Sequence, residues 1–109
     1  MRLDWNCIRE ILLFEEKHQP SRFPSPMWSS SECPLNEVEE YYRLLAEAGY
    51  LRKTGSLGCL WQMTVKGHEL LTMLRDPERW EIIKVNAERL GIELSPEVIR
   101  RLFLRSLNL

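Results

Sequence analysis

The sequence predicts an α+β fold, mostly helical, and three observations predict it. An apolar stripe at helical spacing runs from Asn36 to Ala48 and stops at Gly49. Two short runs rich in aromatic and aliphatic residues, Tyr50–Lys53 and Cys59–Met63, flank the turn-forming stretch Thr54–Gly58. Thr64 then opens a further helical stripe carrying Leu70, Leu71 and Leu74. Helix, ribbon and capped helix in that order make a winged helix-turn-helix core with a two-stranded wing, and two additional C-terminal helices follow it.

Each element has a local reason. Asp4 is placed to cap the first helix, with Leu3 and Ile8 as a hydrophobic staple. Trp5, Ile8, Ile11 and Leu12 form its buried stripe, with Phe14 as a further candidate, while Arg9, Glu10, Glu15, Glu16 and Lys17 face water. In residues 18–34, Pro20, Pro24, Pro26 and a serine run forbid a long helix and leave at most one turn near Ser29–Cys33. The second helix of the core is therefore expected to be degenerate. Phe23, Met27 and Trp28 are too apolar for a solvated linker, so they either cap the core or present a partner-binding surface.

Asn36 with Glu39 reads as a capping box. Val38, Tyr41, Leu45 and Ala48 line one face of the helix that follows, Gly49 ends it in the left-handed conformation, and Tyr50 folds back toward Leu45. In the ribbon, Cys59, Trp61 and Met63 alternate onto an inner face. Asp76-Pro77-Glu78 starts a helix with Trp80, Ile83, Ala87 and Leu90 on its stripe and Gly91 at its end. Ser95-Pro96-Glu97 repeats that signal. The last helix carries Val98, Ile99, Leu102, Phe103, Leu104 and Leu107 among Arg100, Arg101 and Arg105. The chain is expected to be a single domain, 1–109, with its core in 1–75 and a helical extension in 76–109. The runs at 79–90 and 96–108 are expected to pack on the first helix, on each other, or against a second copy, with Leu102 and Phe103 as the oligomer contacts.

One hundred and nine residues at 44% hydrophobic and 28% charged suffice for one modest soluble core. No stretch approaches the roughly 18 apolar residues of a membrane span, and Asp4 with the amphipathic start argues against a signal peptide. Cys7, Cys33 and Cys59 are odd in number and form no close pair in sequence, which suits reduced thiols in a cytoplasm.

The runs Leu44-Leu45-Ala46-Glu47-Ala48-Gly49-Tyr50-Leu51 and Met63-Thr64-Val65-Lys66-Gly67-His68-Glu69-Leu70-Leu71 resemble a common winged-helix pattern. Together with Arg75-Asp76, Trp80 and the opening Met1-Arg2-Leu3-Asp4 with Ile8-Arg9-Glu10-Ile11-Leu12-Leu13, they are similar to domain-of-unknown-function family 2513, small proteins of phages and prophages. The likeness spans most of the chain and departs from Pro20 to Pro34. It implies the winged-helix fold and a phage or prophage context, hence the cytoplasm of a bacterial host. It implies no activity, because the family carries none that could be transferred.

The residues themselves argue against catalysis and cofactors. Cys7, Cys33, Cys59, His18 and His68 lack the short spacings of structural zinc sites. Cys7 and Cys59 fit better as small buried hydrophobes. His68 and Glu69 are neighbours about 100° apart on a helix and do not face each other, and no nucleophile or phosphate-binding motif is present. The expectation is a protein that is not an enzyme, with no metal, no cofactor, no small-molecule substrate and no membrane partner.

Charge distribution separates the binding modes. Residues 32–49 hold Arg43 against Glu32, Glu37, Glu39, Glu40 and Glu47, a net of −4, whereas residues 50–75 hold Arg52, Lys53, Lys66 and Arg75 against Glu69, a net of +3. A winged helix commonly reads DNA with the helix before the ribbon, but carboxylates facing phosphates lose attraction. The first expectation is therefore binding to a protein partner or to a second copy, through Glu37, Glu39, Glu40, Tyr41 and Tyr42. The alternative is a small DNA-binding regulator with Arg43, Arg52, Lys53 and Lys66 on the phosphate backbone.

Overall fold

The computed structural model describes residues 3–22, 28–30 and 32–107. Within them the chain is α+β and mostly helical, with five helices and one antiparallel two-stranded sheet. The order is α1 (Trp5–His18), α2 (Leu35–Glu47), β1 (Leu51–Thr54), β2 (Leu60–Met63), α3 (Val65–Leu74), α4 (Pro77–Leu90) and α5 (Pro96–Ser106). The chain divides into two compact units, Met1–Leu71 and Thr72–Leu109. No described helix is long and apolar enough to cross a membrane. Phe23 and Met27, expected as a core cap or a partner surface, lie outside the described residues, as do Met1, Arg2 and Asn108.

In the first unit, the Asp4 carboxylate accepts from the Asn6 N–H and caps α1. Trp5, Ile8, Ile11 and Leu12 are buried on the face that the spacing predicts, and α1 packs on α2 and β2. Each such side chain contributes about 1.5–3 kcal/mol by leaving water. Phe14 stays half-buried and meets the Trp28 ring edge-on at 5.3 Å, while the Trp28 indole N–H donates to the Cys33 carbonyl at 3.4 Å. Trp28 thus covers the end of α1.

Helix α2 begins one residue before the predicted cap. Pro34 occupies the N-cap with φ −65° and ψ 147° and no side-chain hydrogen bond, which places Asn36 inside the helix. The proline ring already fixes the entry angle, so the capping box at Asn36 and Glu39 is not used. The predicted C-terminal signal is realised: Gly49 sits at φ 87°, the Gly49 N–H donates to Ala46 O at 3.1 Å and the Tyr50 N–H to Leu45 O at 2.9 Å. These are the two bonds of a Schellman cap. Because the Tyr50 N–H is committed there, the ladder starts at Leu51, paired with Met63, and Lys53 pairs with Trp61. Leu51 and Met63 are buried, but Cys59 lies outside β2 and is half-exposed, against the inner-face expectation. Thr64 caps α3 by accepting from the Gly67 N–H at 3.1 Å.

Two further expectations are corrected. Cys7 and Cys33 form a disulfide with a Cα–Cα distance of 4.8 Å, leaving Cys59 as the free thiol. A separation of 26 residues hides the pair in the sequence, because the fold alone brings the first turn of α1 to the residue before Pro34. Glu15, read as solvent-facing, is fully buried.

In the second unit, Asp76 accepts from the Glu78 and Arg79 N–H groups, Gly91 ends α4 at φ 69°, and Ser95 caps α5. Helices α4 and α5 pack together and bury Trp80, Ile83, Ala87, Ile99 and Leu102. Leu90, predicted on the α4 stripe, is 54% exposed. Leu102 is 5% exposed and Phe103 is half-buried beneath the Arg79 guanidinium, 5.6 Å from the ring centroid. Both predicted oligomer contacts are thus used inside this unit, and the α5 hydrophobes that reach solvent are Leu104 and Leu107.

Candidate functional site

Helix α2 divides into an inner and an outer face. The inner face takes both of its tyrosines, which corrects their assignment to a partner surface. Tyr41 is 2% exposed and its hydroxyl oxygen accepts from the Asp4 backbone N–H at 2.9 Å. Tyr42 is 1% exposed and donates to a Glu15 carboxylate oxygen at 2.6 Å. Both lie at three- and four-residue steps from Val38 and Leu45, so the helical stripe that buries those two carries the tyrosines inward as well.

The outer face carries the acids. Glu37, Glu39 and Glu47 are exposed, and Glu40 pairs with Arg43, one turn on. That pair holds the Glu40 carboxyl below its ordinary pKa and pushes the Arg43 guanidinium up, with Glu47 adding to the second shift. Beside this face runs a groove of about 440 Å³. Its helix wall is Glu39, Arg43, Ala46 and Glu47 over the Tyr42 ring, and its ribbon wall is Lys53 and Trp61. The Tyr42 and Trp61 rings lie 5.3 Å apart at 60°, and the Lys53 ammonium sits 5.1 Å over Trp61. Cross-strand pairing of Lys53 with Trp61 brings the ribbon wall together.

A buried polar node supports the groove floor. Ser21 and Tyr42 both donate to the same Glu15 oxygen, while Ser21 pairs with Trp61 through two backbone hydrogen bonds of 2.9 and 2.6 Å. Gln19 ties the end of α1 to β2 by accepting from the Met63 N–H at 2.9 Å. The other Glu15 oxygen is buried without a hydrogen-bond partner among the described residues. Burial raises the Glu15 pKa, and Ser21, Tyr42 and His18 offset part of the rise. The sequence signal for this node is an acid on an apolar stripe, since Glu15 follows Ile8 and Ile11/Leu12 at helical steps.

That shift has a sign in stability. The folded chain keeps the Glu15 proton above the ordinary value of 4.5, where the unfolded chain loses it. Stability attributable to Glu15 is therefore present at acid pH and lost as pH rises through 4.5 toward the folded value. Glu15→Gln keeps an acceptor for Ser21 and Tyr42 and removes the titration. Urea midpoints should show the variant gaining on the wild type as pH rises toward neutrality; parallel pH profiles would contradict the assignment.

The four cations expected on a DNA backbone are each engaged within the chain. Arg43 pairs with Glu40, Arg52 donates to the Gln62 side-chain carbonyl at 3.1 Å, and Lys53 lies over Trp61. Lys66 donates to the Ala48 carbonyl at 2.9 Å and lies 4.8 Å over the Tyr50 ring. Among the described residues no cluster of side chains is arranged to hold a metal ion.

Fold and surface together define a small, mostly helical α+β protein whose acidic helix flanks a groove. Residues 2–93 match the family model described as "Hypothetical protein (DUF2513)", and the chain belongs to that family. Neither the curated proteins nor the solved structures return a match.

Proposed function

We propose that this is a non-catalytic winged-helix protein of phage or prophage type that binds a basic protein surface, foreign or its own, through the outer face of α2. The observation that carries the reading is the direction of the acids: Glu37, Glu39 and Glu47 point to solvent, and the one arginine on the helix is bound to Glu40. Such a face repels a polyanion and attracts a cationic partner. Support for the winged-helix description comes from element order. A helix is followed by the single bridge residue Ser21 pairing with Trp61, then α2, then the ribbon. The phage context rests on the family resemblance. In a host cytoplasm the Cys7–Cys33 bridge would be shielded from thiolate attack, since both residues are buried.

DNA binding is the second reading, favoured by the position of α2 before the ribbon. A gel shift on random duplex separates the two. The proposal expects no shift at micromolar protein at about 50 mM salt. A shift that weakens at about 200 mM salt and is lost in Arg52→Glu with Lys53→Glu would replace it with the DNA reading. Conversely, reversing Glu37, Glu39 and Glu40 to lysine should abolish partner binding while leaving the thermal transition in place.

A further inference from the structure

Glu15 has no exposed surface, yet only one of its two carboxyl oxygens is engaged among the described residues. Oε2 accepts from the Ser21 hydroxyl at 2.5 Å and from the Tyr42 hydroxyl at 2.6 Å. With two donors on Oε2, the proton of the neutral acid belongs on Oε1. The neutral form therefore leaves one buried O–H unbonded. The ionised form leaves a charged oxygen there instead, which is the far costlier state in a site closed to water. Three elements enclose this carboxyl group, and they are not held equally. Helices α1 and α2 are fixed by their own hydrogen-bond ladders and by the buried Ile11, Leu12, Val38 and Leu45. Ser21 is fixed to β2 by one isolated bridge, its two bonds to Trp61 measuring 2.9 and 2.6 Å. Its neighbours Pro20 and Arg22 are exposed, so Ser21 covers Glu15 from the side next to solvent.

We propose that Glu15 is a pH-sensitive latch on the groove: loss of its proton to solvent releases Ser21 from Trp61 and admits water to Oε1. Because Trp61 also lines the groove, release loosens the ribbon wall. The groups acting on Glu15 leave the switch to its own carboxyl. From α1, the His18 charge favours the ionised form without offsetting the effect of burial. From α2, Tyr42 stays a donor throughout, because burial and the Glu15 carboxyl both push its phenol up. Strand β2, Leu60–Met63, contains no ionisable residue. Tyr42 meets Glu15 with its hydroxyl and the groove with its ring, beyond which stand Glu39, Arg43, Glu47 and Lys53. Once released, the hydrated carboxyl group ionises near its ordinary 4.5, whereas the closed form holds its proton to higher pH. The equilibrium for release therefore rises by about tenfold per pH unit above 4.5 and levels off where the closed form itself ionises. The latch acts on Trp61 and is independent of what the outer face of α2 binds.

The test is residue-resolved amide hydrogen exchange on the full chain at successive pH values. Each rate is divided by that of an unstructured chain at the same pH. Protection of the Ser21 and Trp61 N–H groups should fall by about tenfold per unit above 4.5 and then level off. It should stay far below the protection of the Leu12 and Leu45 amides, which lie within the α1 and α2 ladders. Glu15→Gln keeps an acceptor for Ser21 and Tyr42 but has no proton to lose, so protection at the bridge should not change with pH. Ser21→Ala removes a bond that favours the charged form, so the levelling-off at Trp61 should move to higher pH. Protection in the wild type that is independent of pH overturns the latch, as does an equal fall in Glu15→Gln. Equal protection at Ser21, Trp61, Leu12 and Leu45 also overturns it, because the whole unit then opens at once. Should Glu15→Gln not fold, Ser21→Ala decides: a levelling-off that does not move overturns the latch.

Discussion

Gly67→Ala should destabilise the first unit by about 3 kcal/mol or more, the upper end for forcing a methyl into a packed site. The new Cβ would stand 2.2 Å from the Tyr50 carbonyl oxygen and 3.2 Å from its carbon. Ordinary carbon–oxygen contacts lie at about 3.3–3.6 Å, so one backbone must move by roughly an ångström. Neither is free to do so. The Tyr50 carbonyl accepts from the Thr64 N–H at 3.1 Å, and the Tyr50 N–H closes the Schellman cap on Leu45 O at 2.9 Å. On the other side, Thr64 caps α3 through the Gly67 N–H and donates to the Gly49 carbonyl at 2.5 Å. The end of α2, the start of the ribbon and the start of α3 are locked in one joint, with the absent side chain of Gly67 at its centre. A shift of the thermal midpoint by more than about 12 °C is expected for a unit of this size. Gly58→Ala is the control: its φ is 61° with nothing within 4 Å, so it should cost only about 1–2 kcal/mol of backbone strain. If the two variants unfold together, the close approach at Tyr50 is not what fixes glycine at 67.

Part of this fold is written locally in the chain. The Asp4, Thr64, Asp76 and Ser95 caps and the Gly49 and Gly91 ends are short-range codes, and the structure uses all of them. Asn36 fails as a cap because Pro34 stands just before the helix and sets its entry. The acidic outer face of α2 was legible because it needs only charge sign and helical period. Its groove was not, since Trp61 and Lys53 arrive by strand pairing. Tyr41 and Tyr42 illustrate the same limit. Their spacing from Val38 places them inward, but the partners that satisfy their hydroxyls, the Asp4 N–H and the Glu15 carboxylate, are 37 and 27 residues away. Gly67 was visible as part of a family pattern, yet nothing in the sequence names the carbonyl that excludes a side chain there.

Breaking the Cys7–Cys33 bridge is the other large effect expected. The cross-link joins residues 26 apart, and closing a loop of that length removes unfolded-state entropy worth about 3.5 kcal/mol. The enclosed chain includes most of α1 and residues 19–32, where helix is absent from the described part, and the cross-link adds to the hydrogen bonds that Gln19 and Ser21 make to β2. Cys7→Ala should therefore lower stability by about 3 kcal/mol in urea unfolding, and Cys33→Ala should do nearly the same. The double variant should add little, because either substitution already opens the loop. Cys59→Ala, at the half-exposed free thiol, should be close to neutral. The effect should extend to binding, because Cys33 and Pro34 set where α2 begins, and loosening them frees the acidic face to reorient. A thiol count on the urea-unfolded chain decides the matter. Without reductant one group should react, Cys59, and with reductant three; three without reductant would mean that Cys7 and Cys33 are unpaired and that the bridge does not contribute to the fold.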